Sequence, residues 1–214
     1  MEKGAIFDLD GTLLYTLEDL KDSVNYSLAK FGYPCRTLDE VRNFVGNGVK
    51  LLIERALPEG EKNPDFKECL TCFKEHYKKN MYNKTRLFDG IDEMLAELNS
   101  RGYKIAVVSN KFDAAVKELC EKYFCGKIEI AIGESEEVRK KPAPDSVLKA
   151  MEVLNCNPEL TYYIGDSEVD IETAKNAGLK CISVSWGYKD KDFLKEHGAS
   201  TIVDRPLEIL KILK

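Results

Sequence analysis

The chain has 214 residues, with 32 Lys+Arg against 37 Asp+Glu and a formal net charge of −5. At 43% hydrophobic and 32% charged residues, its composition is that of a soluble globular protein, and its length predicts one full domain plus a smaller one. The negative balance excludes a nucleic acid or an anionic membrane surface held by bulk electrostatics, so an anionic substrate needs local chemistry to overcome the overall field. The longest uninterrupted apolar run, Ile105–Val108, is far too short to span a bilayer. Gly4-Ala5-Ile6-Phe7 enters a strand without a basic leader, so a cytoplasmic protein is expected. The 7 cysteines, an odd number in a chain of this size, read as reduced thiols.

In chain order, Ala5–Leu9 reads as a buried strand. Thr16 then resembles a helix N-cap, with Asp19 three residues on as in a capping box, and Leu17, Leu20, Val24, Leu28 and Phe31 follow at helical spacing up to Gly32. From Leu38 to Tyr82 there is no strand pattern. Leu38/Val41/Val45, Val49/Leu52/Ile53/Ala56 and Phe66/Leu70/Phe73/Tyr77 predict three helices. Alternation then resumes: a helix over Ile91–Leu98 closed by Gly102, a strand over Lys104–Val108, and a helix through Val116, Leu119 and Tyr123. A strand over Ile128–Ile132, a helix opened by Pro144, a strand Tyr162-Tyr163-Ile164 and a helix through Ile171, Ala174 and Ala177 come next. Cys181–Val184 and Thr201–Val203 are the last strands. Crossover helices between strands force a parallel sheet. The expected architecture is therefore α/β: a Rossmann-like parallel sheet flanked by helices (1–15 and 83–214), interrupted by an all-helical cap (16–82), with short hinges near Leu14–Thr16 and Arg86–Asp89.

Ligand sites in such sheets lie at the carboxyl ends of the strands, and four segments at those ends carry unusual groups. They are Asp8-Leu9-Asp10-Gly11-Thr12, Ser109-Asn110-Lys111, Arg139-Lys140-Lys141-Pro142 and Gly165-Asp166-Ser167-Glu168-Val169-Asp170. Asp8 and Asp10, two apart on a strand, leave on the same face and repel unless a proton or a cation sits between them. If the first and fourth ends are adjacent, as many as four carboxylates converge, with a single lysine expected to offset them. Sulfur-free, oxygen-rich ligation of this kind suits Mg²⁺. A dianionic phosphate could not enter such a pocket without the metal. Each segment alone is ordinary, a turn, a helix cap or a loop; their ordered conjunction is the signal.

That conjunction resembles the haloacid-dehalogenase-like superfamily of phosphotransferases over essentially the whole chain. Asp8-Leu9-Asp10-Gly11-Thr12-Leu13 matches its first motif, Ser109 its second, Lys141 before Pro142 its third, and Gly165-Asp166-Ser167-x-x-Asp170 its fourth. Within it the chain is most similar to the phosphoglycolate phosphatase group, through Val45-Gly46-Asn47-Gly48, Ser109-Asn110-Lys111 and Lys141-Pro142-Ala143-Pro144. The resemblance implies that Asp8 attacks phosphorus and carries an aspartyl-phosphate, and that Asp10 protonates the leaving oxygen and then takes a proton from water. It implies Mg²⁺ held by Asp8, the Asp10 backbone carbonyl and Asp166, with Asp170 orienting the metal waters or Lys141. Ser109 and the Asn110 backbone N–H would bind the phosphoryl oxygens, and Lys141 would offset their charge. Gly11 permits a tight turn whose amides can face the phosphate. Lys140 adjoins Lys141, and the following Pro142 selects the latter.

The implied substrate is a small phosphorylated metabolite. Alternatives are a pyrophosphatase or nucleotide phosphatase of the same family, a β-phosphoglucomutase-like mutase, and a catalytically silent binding module. Asp10 sets aside dehalogenases and phosphonate hydrolases, which lack an acid there. Tyr15 stands where many relatives carry Asp. In the cap, Arg55 and Lys50 near Gly46-Asn47-Gly48 are candidate partners of a small carboxylate. Cys69, Cys72 and His76 share a helical face but lack a second ligand pair, so they read as packing residues rather than a zinc site, and Trp186 reads as a core-edge aromatic.

Overall fold

The computed structural model describes residues 1–136 and 138–213. The chain divides into two compact units, Met1–Leu14 with Leu87–Lys214, and Tyr15–Arg86.

The first unit is built on a six-stranded sheet. Its strands are β1 (Glu2–Phe7), β4 (Tyr103–Phe112), β5 (Ile130–Glu134), β6 (Cys156–Gly165), β7 (Lys180–Val184) and β8 (Ile202–Val203). They run parallel in the order β5-β4-β1-β6-β7-β8. Every return is a crossover, carried by helices α5 (Ile91–Ser100), α6 (Asp113–Phe124), α7 (Asp145–Val153), α8 (Glu168–Asn176) and α9 (Lys191–Glu196), with α10 (Ile209–Ile212) after the last strand. The α/β parallel-sheet class expected from the alternating pattern is the one found. β1 is central and Ala5, Ile6 and Phe7 are fully buried on both its faces, which is why it reads as a continuous apolar run. Ile6, Ala106, Val108, Ile132 and Tyr163 pack with Val147, Ala150 and Met151 of α7 and Ala174 of α8 into one core cluster.

Register then decides where chemistry can occur. Phe7 pairs with Val107 on one side and with Ile164 on the other. The next residues, Asp8, Val108 and Gly165, therefore stand level, at the point where the chain order of the sheet turns outward from β1 in both directions. That is the crevice in which open α/β sheets bind ligands.

The second unit is helical throughout: α1 (Leu17–Lys30), α2 (Leu38–Phe44), α3 (Val49–Ala56), a 3-10 turn (Gly60–Lys62) and α4 (Phe66–Asn80). α1 buries Leu20, Val24 and Leu28, and α4 buries Cys69, Cys72, Phe73 and Tyr77. Ser27 Oγ donates to the Cys69 carbonyl at 2.7 Å between them. A two-stranded ribbon, β2 (Leu14–Tyr15) with β3 (Arg86–Leu87), forms where the chain passes between the units.

The start of α1 differs from expectation. Thr16 makes no side-chain cap bond, and Asp19 does not close a capping box. Its buried carboxylate instead accepts from the backbone N–H of Lys84 at 3.0 Å and from the Thr85 N–H and hydroxyl at 2.8 and 2.9 Å. A buried anion is better served by three fixed donors than by one frayed helix end. A capping box does form at α2, where Thr37 Oγ1 accepts from Glu40 N at 3.2 Å and Glu40 Oε2 from Thr37 N at 2.8 Å. Tyr15 lies under the Arg86 guanidinium at 4.2 Å.

Candidate active site

After Phe7 the chain folds into a tight loop. The Leu9 carbonyl accepts from the amides of Thr12, Leu13 and Leu14 at 3.3, 3.0 and 3.0 Å, and Leu9, Leu13 and Leu14 are fully buried. Leu9 is buried between Asp8 and Asp10, whose carboxylates meet Lys141 and Lys111 respectively. Gly11 has φ +86°, and a Cβ there would run into the Asp166 carboxylate. Its own N–H, and that of Thr12, are committed to Leu14 O and Leu9 O, so neither faces a phosphate as expected. The role of Gly11 is instead to let the loop approach Asp166.

The carboxylates of Asp8, Asp166 and Asp170 gather here, each offering an oxygen within 4.8 Å of the others. This is the one potential metal-holding cluster of His, Cys, Asp and Glu among the described residues, so Cys69, Cys72 and His76 form none, and all seven cysteines are free thiols. Asp166 is fixed by Thr12 Oγ1 at 3.2 Å and by the Tyr188 N–H at 2.8 Å. Gly187 admits the Tyr188 amide to that position, since a Cβ on it would strike Asp166 and the Gly11 carbonyl. Trp186, read above as a core-edge aromatic, donates its indole N–H to Thr12 O at 3.0 Å and so braces the same loop.

Lys141 is 4% exposed, at the third strand-end segment. Its ammonium lies 2.9 Å from Asp8 Oδ1, 2.7 Å from Asp170 Oδ1 and 3.0 Å from the Tyr163 hydroxyl. The Tyr163 O–H donates to Asp170 Oδ1 at 2.8 Å, and Asp170 Oδ2 accepts from Ser167 N and Oγ at 3.1 and 2.6 Å. Both Asp170 oxygens are thus engaged by protein donors, which suits a group that positions Lys141 better than one that ligates a cation. Lys140 is exposed.

On β4, Ser109 and Asn110 are buried, and the strand runs on through them to Phe112 rather than ending before them. The Asn110 amide exchanges bonds with the Lys141 backbone, Nδ2 to O at 3.0 Å and N to Oδ1 at 2.7 Å, tying two strand-end segments together. Lys111, assigned no separate task within the Ser109-Asn110-Lys111 segment, places its ammonium 2.6 Å from Asp10 Oδ2, with its side chain 3% exposed. The expectation of one offsetting lysine is therefore corrected. Two ammoniums face four carboxylates, a formal −2.

The electrostatics follow from burial. Desolvation lifts the Asp8 carboxyl from 3.8 to about 7, against the pull of Lys141 and with the help of Asp170 and Asp10. Desolvation, then Asp170 and Asp8, hold Asp166 well above the usual carboxylate range despite its two donors. Desolvation works to lower the Lys141 pKa, but Asp170 and Asp8 outweigh it and leave the ammonium firmly charged.

A divalent cation fits this donor set. Asp8 Oδ1 is buried with the Lys141 ammonium at 2.9 Å, and the neighbouring Asp166 and Asp170 carboxylates leave the cluster short of positive charge. An all-oxygen set with a net negative charge answers to a hard cation such as Mg²⁺.

In the helical unit, Arg55 and Lys50 are occupied. Arg55 donates to Phe44 O at 2.8 Å and Asn47 Oδ1 at 2.9 Å, and Lys50 pairs with Glu61 at 2.7 Å. Among the described residues no helix is long and apolar enough to cross a membrane.

The profile of a family described as haloacid dehalogenase-like hydrolase matches residues 5–184. A phosphoglycolate phosphatase of Aquifex aeolicus is 32% identical over 97% of this chain and 95% of its own length. One from Mesorhizobium japonicum is 34% identical over 92% and 88%. The crystal structure of a Lactobacillus delbrueckii subsp. bulgaricus protein superposes with a TM-score of 0.94 at 36% identity, covering 100% of this chain and 99% of that one.

Proposed function

The chain belongs to the haloacid dehalogenase-like hydrolase family, and from that premise we propose that it is a Mg²⁺-dependent phosphatase of small phosphomonoesters, 2-phosphoglycolate foremost, that works through a phosphoryl group carried on Asp8. The observation that carries the proposal is the convergence of the Asp8, Asp166 and Asp170 oxygens within 4.8 Å, beside the buried ammonium of Lys141. The names of the relatives supply the substrate.

Asp8, Asp166 and the Asp10 backbone carbonyl would hold Mg²⁺, which when bound supplies the positive charge that lets a dianionic phosphate approach this acidic site. An Asp8 oxygen attacks phosphorus as the ester P–O bond breaks, and Asp10 gives its proton to the departing oxygen. In the second half Asp10 takes a proton from water as that water attacks phosphorus, and the Asp8–phosphorus bond breaks to restore the carboxylate. Lys141 follows the charge on the transferring group, since Asp170 and Tyr163 fix where its ammonium can go. The Ser109 hydroxyl and the Asn110 N–H bind phosphoryl oxygens. The Asn110 side chain takes no part in this, since it is committed to the Lys141 backbone.

The test is phosphate release from a panel of phosphorylated metabolites, pyrophosphate and nucleotides, with Mg²⁺ and with EDTA. The proposal expects 2-phosphoglycolate to rank first by kcat/KM and all turnover to stop in EDTA. Turnover that persists in EDTA, or a decisive preference for pyrophosphate or a nucleotide, would overturn it.

A further inference from the structure

Asp166 stands just past the end of β6, between two neighbouring strand ends. Ile164 pairs with Phe7 on one side and Gly165 with Ser183 on the other, so the loop after β1 and the turn after β7 flank its carboxylate. Each flank brings one glycine and one donor. Gly11 and Gly187 lie so close that a Cβ on either would run into the carboxylate. Thr12 Oγ1 donates to Oδ1 at 3.2 Å and the Tyr188 N–H to Oδ2 at 2.8 Å. A carboxylate with a donor on each oxygen cannot rotate about its Cβ–Cγ bond without weakening both bonds. Its plane therefore depends on how the two flanks are held to one another.

Trp186 makes that link. It comes from the β7 side, and its indole N–H donates to Thr12 O on the β1 side at 3.0 Å. The turn is anchored at its base as well. Ser185 N donates to Val203 O at 3.0 Å, and Ser185 Oγ to Asp204 Oδ1 at 2.6 Å, which ties the residue before Trp186 to β8 and the residue after that strand. The indole has a single N–H and spends it on Thr12, so by hydrogen bonding it reaches Asp166 only through the loop.

We propose that Trp186 is a positioning residue that presets the Asp166 carboxylate for a small divalent cation, raising the affinity for Mg²⁺ more than that for Ca²⁺. This rests on the proposed function only in taking Asp166 as a metal ligand. Mg²⁺ demands near-octahedral geometry with ligands at about 2.0–2.1 Å, whereas Ca²⁺ accepts ligands at about 2.3–2.6 Å in a flexible shell. A carboxylate freed to rock therefore costs Mg²⁺ more than Ca²⁺. A general weakening of the fold would lower both affinities alike, so their ratio separates positioning from a structural role.

Trp186 is the sole tryptophan of the chain, so one atom can be exchanged at this position alone. Expression in a tryptophan auxotroph fed β-(3-benzothienyl)alanine puts sulfur in place of the indole N–H and keeps the bicyclic shape. Trp186→Phe is the second variant. Calorimetric titration of each metal-free protein with Mg²⁺ and with Ca²⁺ reads the dissociation constants. Loss of the N–H should weaken Mg²⁺ binding roughly tenfold and Ca²⁺ binding under about twofold, shifting the ratio by at least about fivefold. A smaller shift in the benzothienyl protein overturns the inference, whether or not Trp186→Phe folds. If wild type binds both cations and the ratio holds, the inference alone fails. If wild type binds neither, the metal-dependent phosphatase reading fails with it.

Discussion

Replacing Lys141 by Met removes the ammonium while keeping a flexible chain of similar length. It leaves Asp8 and Asp170, 8% and 0% exposed, without their shared cation and close to Asp166, 3% exposed. At the 2.9 and 2.7 Å separations to Asp8 and Asp170, each attraction is worth about 6 kcal/mol at an effective dielectric of about 20. Most of that offsets desolvation, and breaking a buried pair of this kind by removing one partner costs roughly 3–5 kcal/mol. The loss should depend on pH. Asp8 already titrates near 7 because of its burial, so at pH 5.5 it holds a proton and the missing ammonium matters less than at pH 8. Urea unfolding of the metal-free protein at both values measures the difference. Lys140→Met, one residue away and exposed, should stay within about 0.5 kcal/mol of wild type. Equal losses for the two variants, or a Lys141→Met loss that is the same at both pH values, would refute the reasoning.

The other predictions follow from single contacts. In the metal-free protein, Asp8 and Asp166 have carboxyl pKa values raised above the unfolded value. The folded state therefore binds protons that the unfolded state releases, and the stability this gives is present below about pH 4 and is lost as pH rises to about 7. For the same reason Mg²⁺ affinity, read by calorimetry in buffers of different ionisation enthalpy, should increase through that window with proton release; a pH-independent affinity would contradict the desolvation argument. Tyr163→Phe deletes one hydroxyl between Lys141 and Asp170. It should cost about 1–2 kcal/mol in unfolding and lower kcat roughly ten- to a hundredfold through a misplaced ammonium. Asp19→Ala strands the amides of Lys84 and Thr85, with an expected loss of about 2–4 kcal/mol in the helical unit, followed by urea denaturation.

What could be read in advance had one source. Apolar runs locate parallel strands, and the polar residues that break those runs mark the strand ends, so Asp8, Lys141, Asp166 and the sheet class were visible. Residues whose side chains act across the fold were not. Tyr163 sits in the middle of an apolar strand and pairs with Ile6, so its ring looks like any core residue, and its hydroxyl meets Lys141 only in three dimensions. Lys111 was hidden because Ser109-Asn110-Lys111 reads as a loop, whereas β4 continues to Phe112 and carries the ammonium inward. Asp19 has the spacing of a helix cap, and only its pairing with Lys84 and Thr85, more than sixty residues away, gives it another use. The Trp186-Gly187-Tyr188 turn lacks any charged signal, since it serves Asp166 through a backbone amide. The two-residue strands β2 and β3 and the short α9 and α10 are too brief to show a period.

Asp8 as the carrier of phosphorus is tested most directly by acid-quenching the Mg²⁺-loaded enzyme during turnover of 2-phosphoglycolate and locating the phosphoryl group by peptide mass spectrometry. The account predicts the group on the peptide containing Asp8, chemically labile as an acyl phosphate, and absent from Asp8→Asn, which releases no phosphate. Undiminished phosphate release by Asp8→Asn, or a phosphoryl group found on another residue, would contradict it.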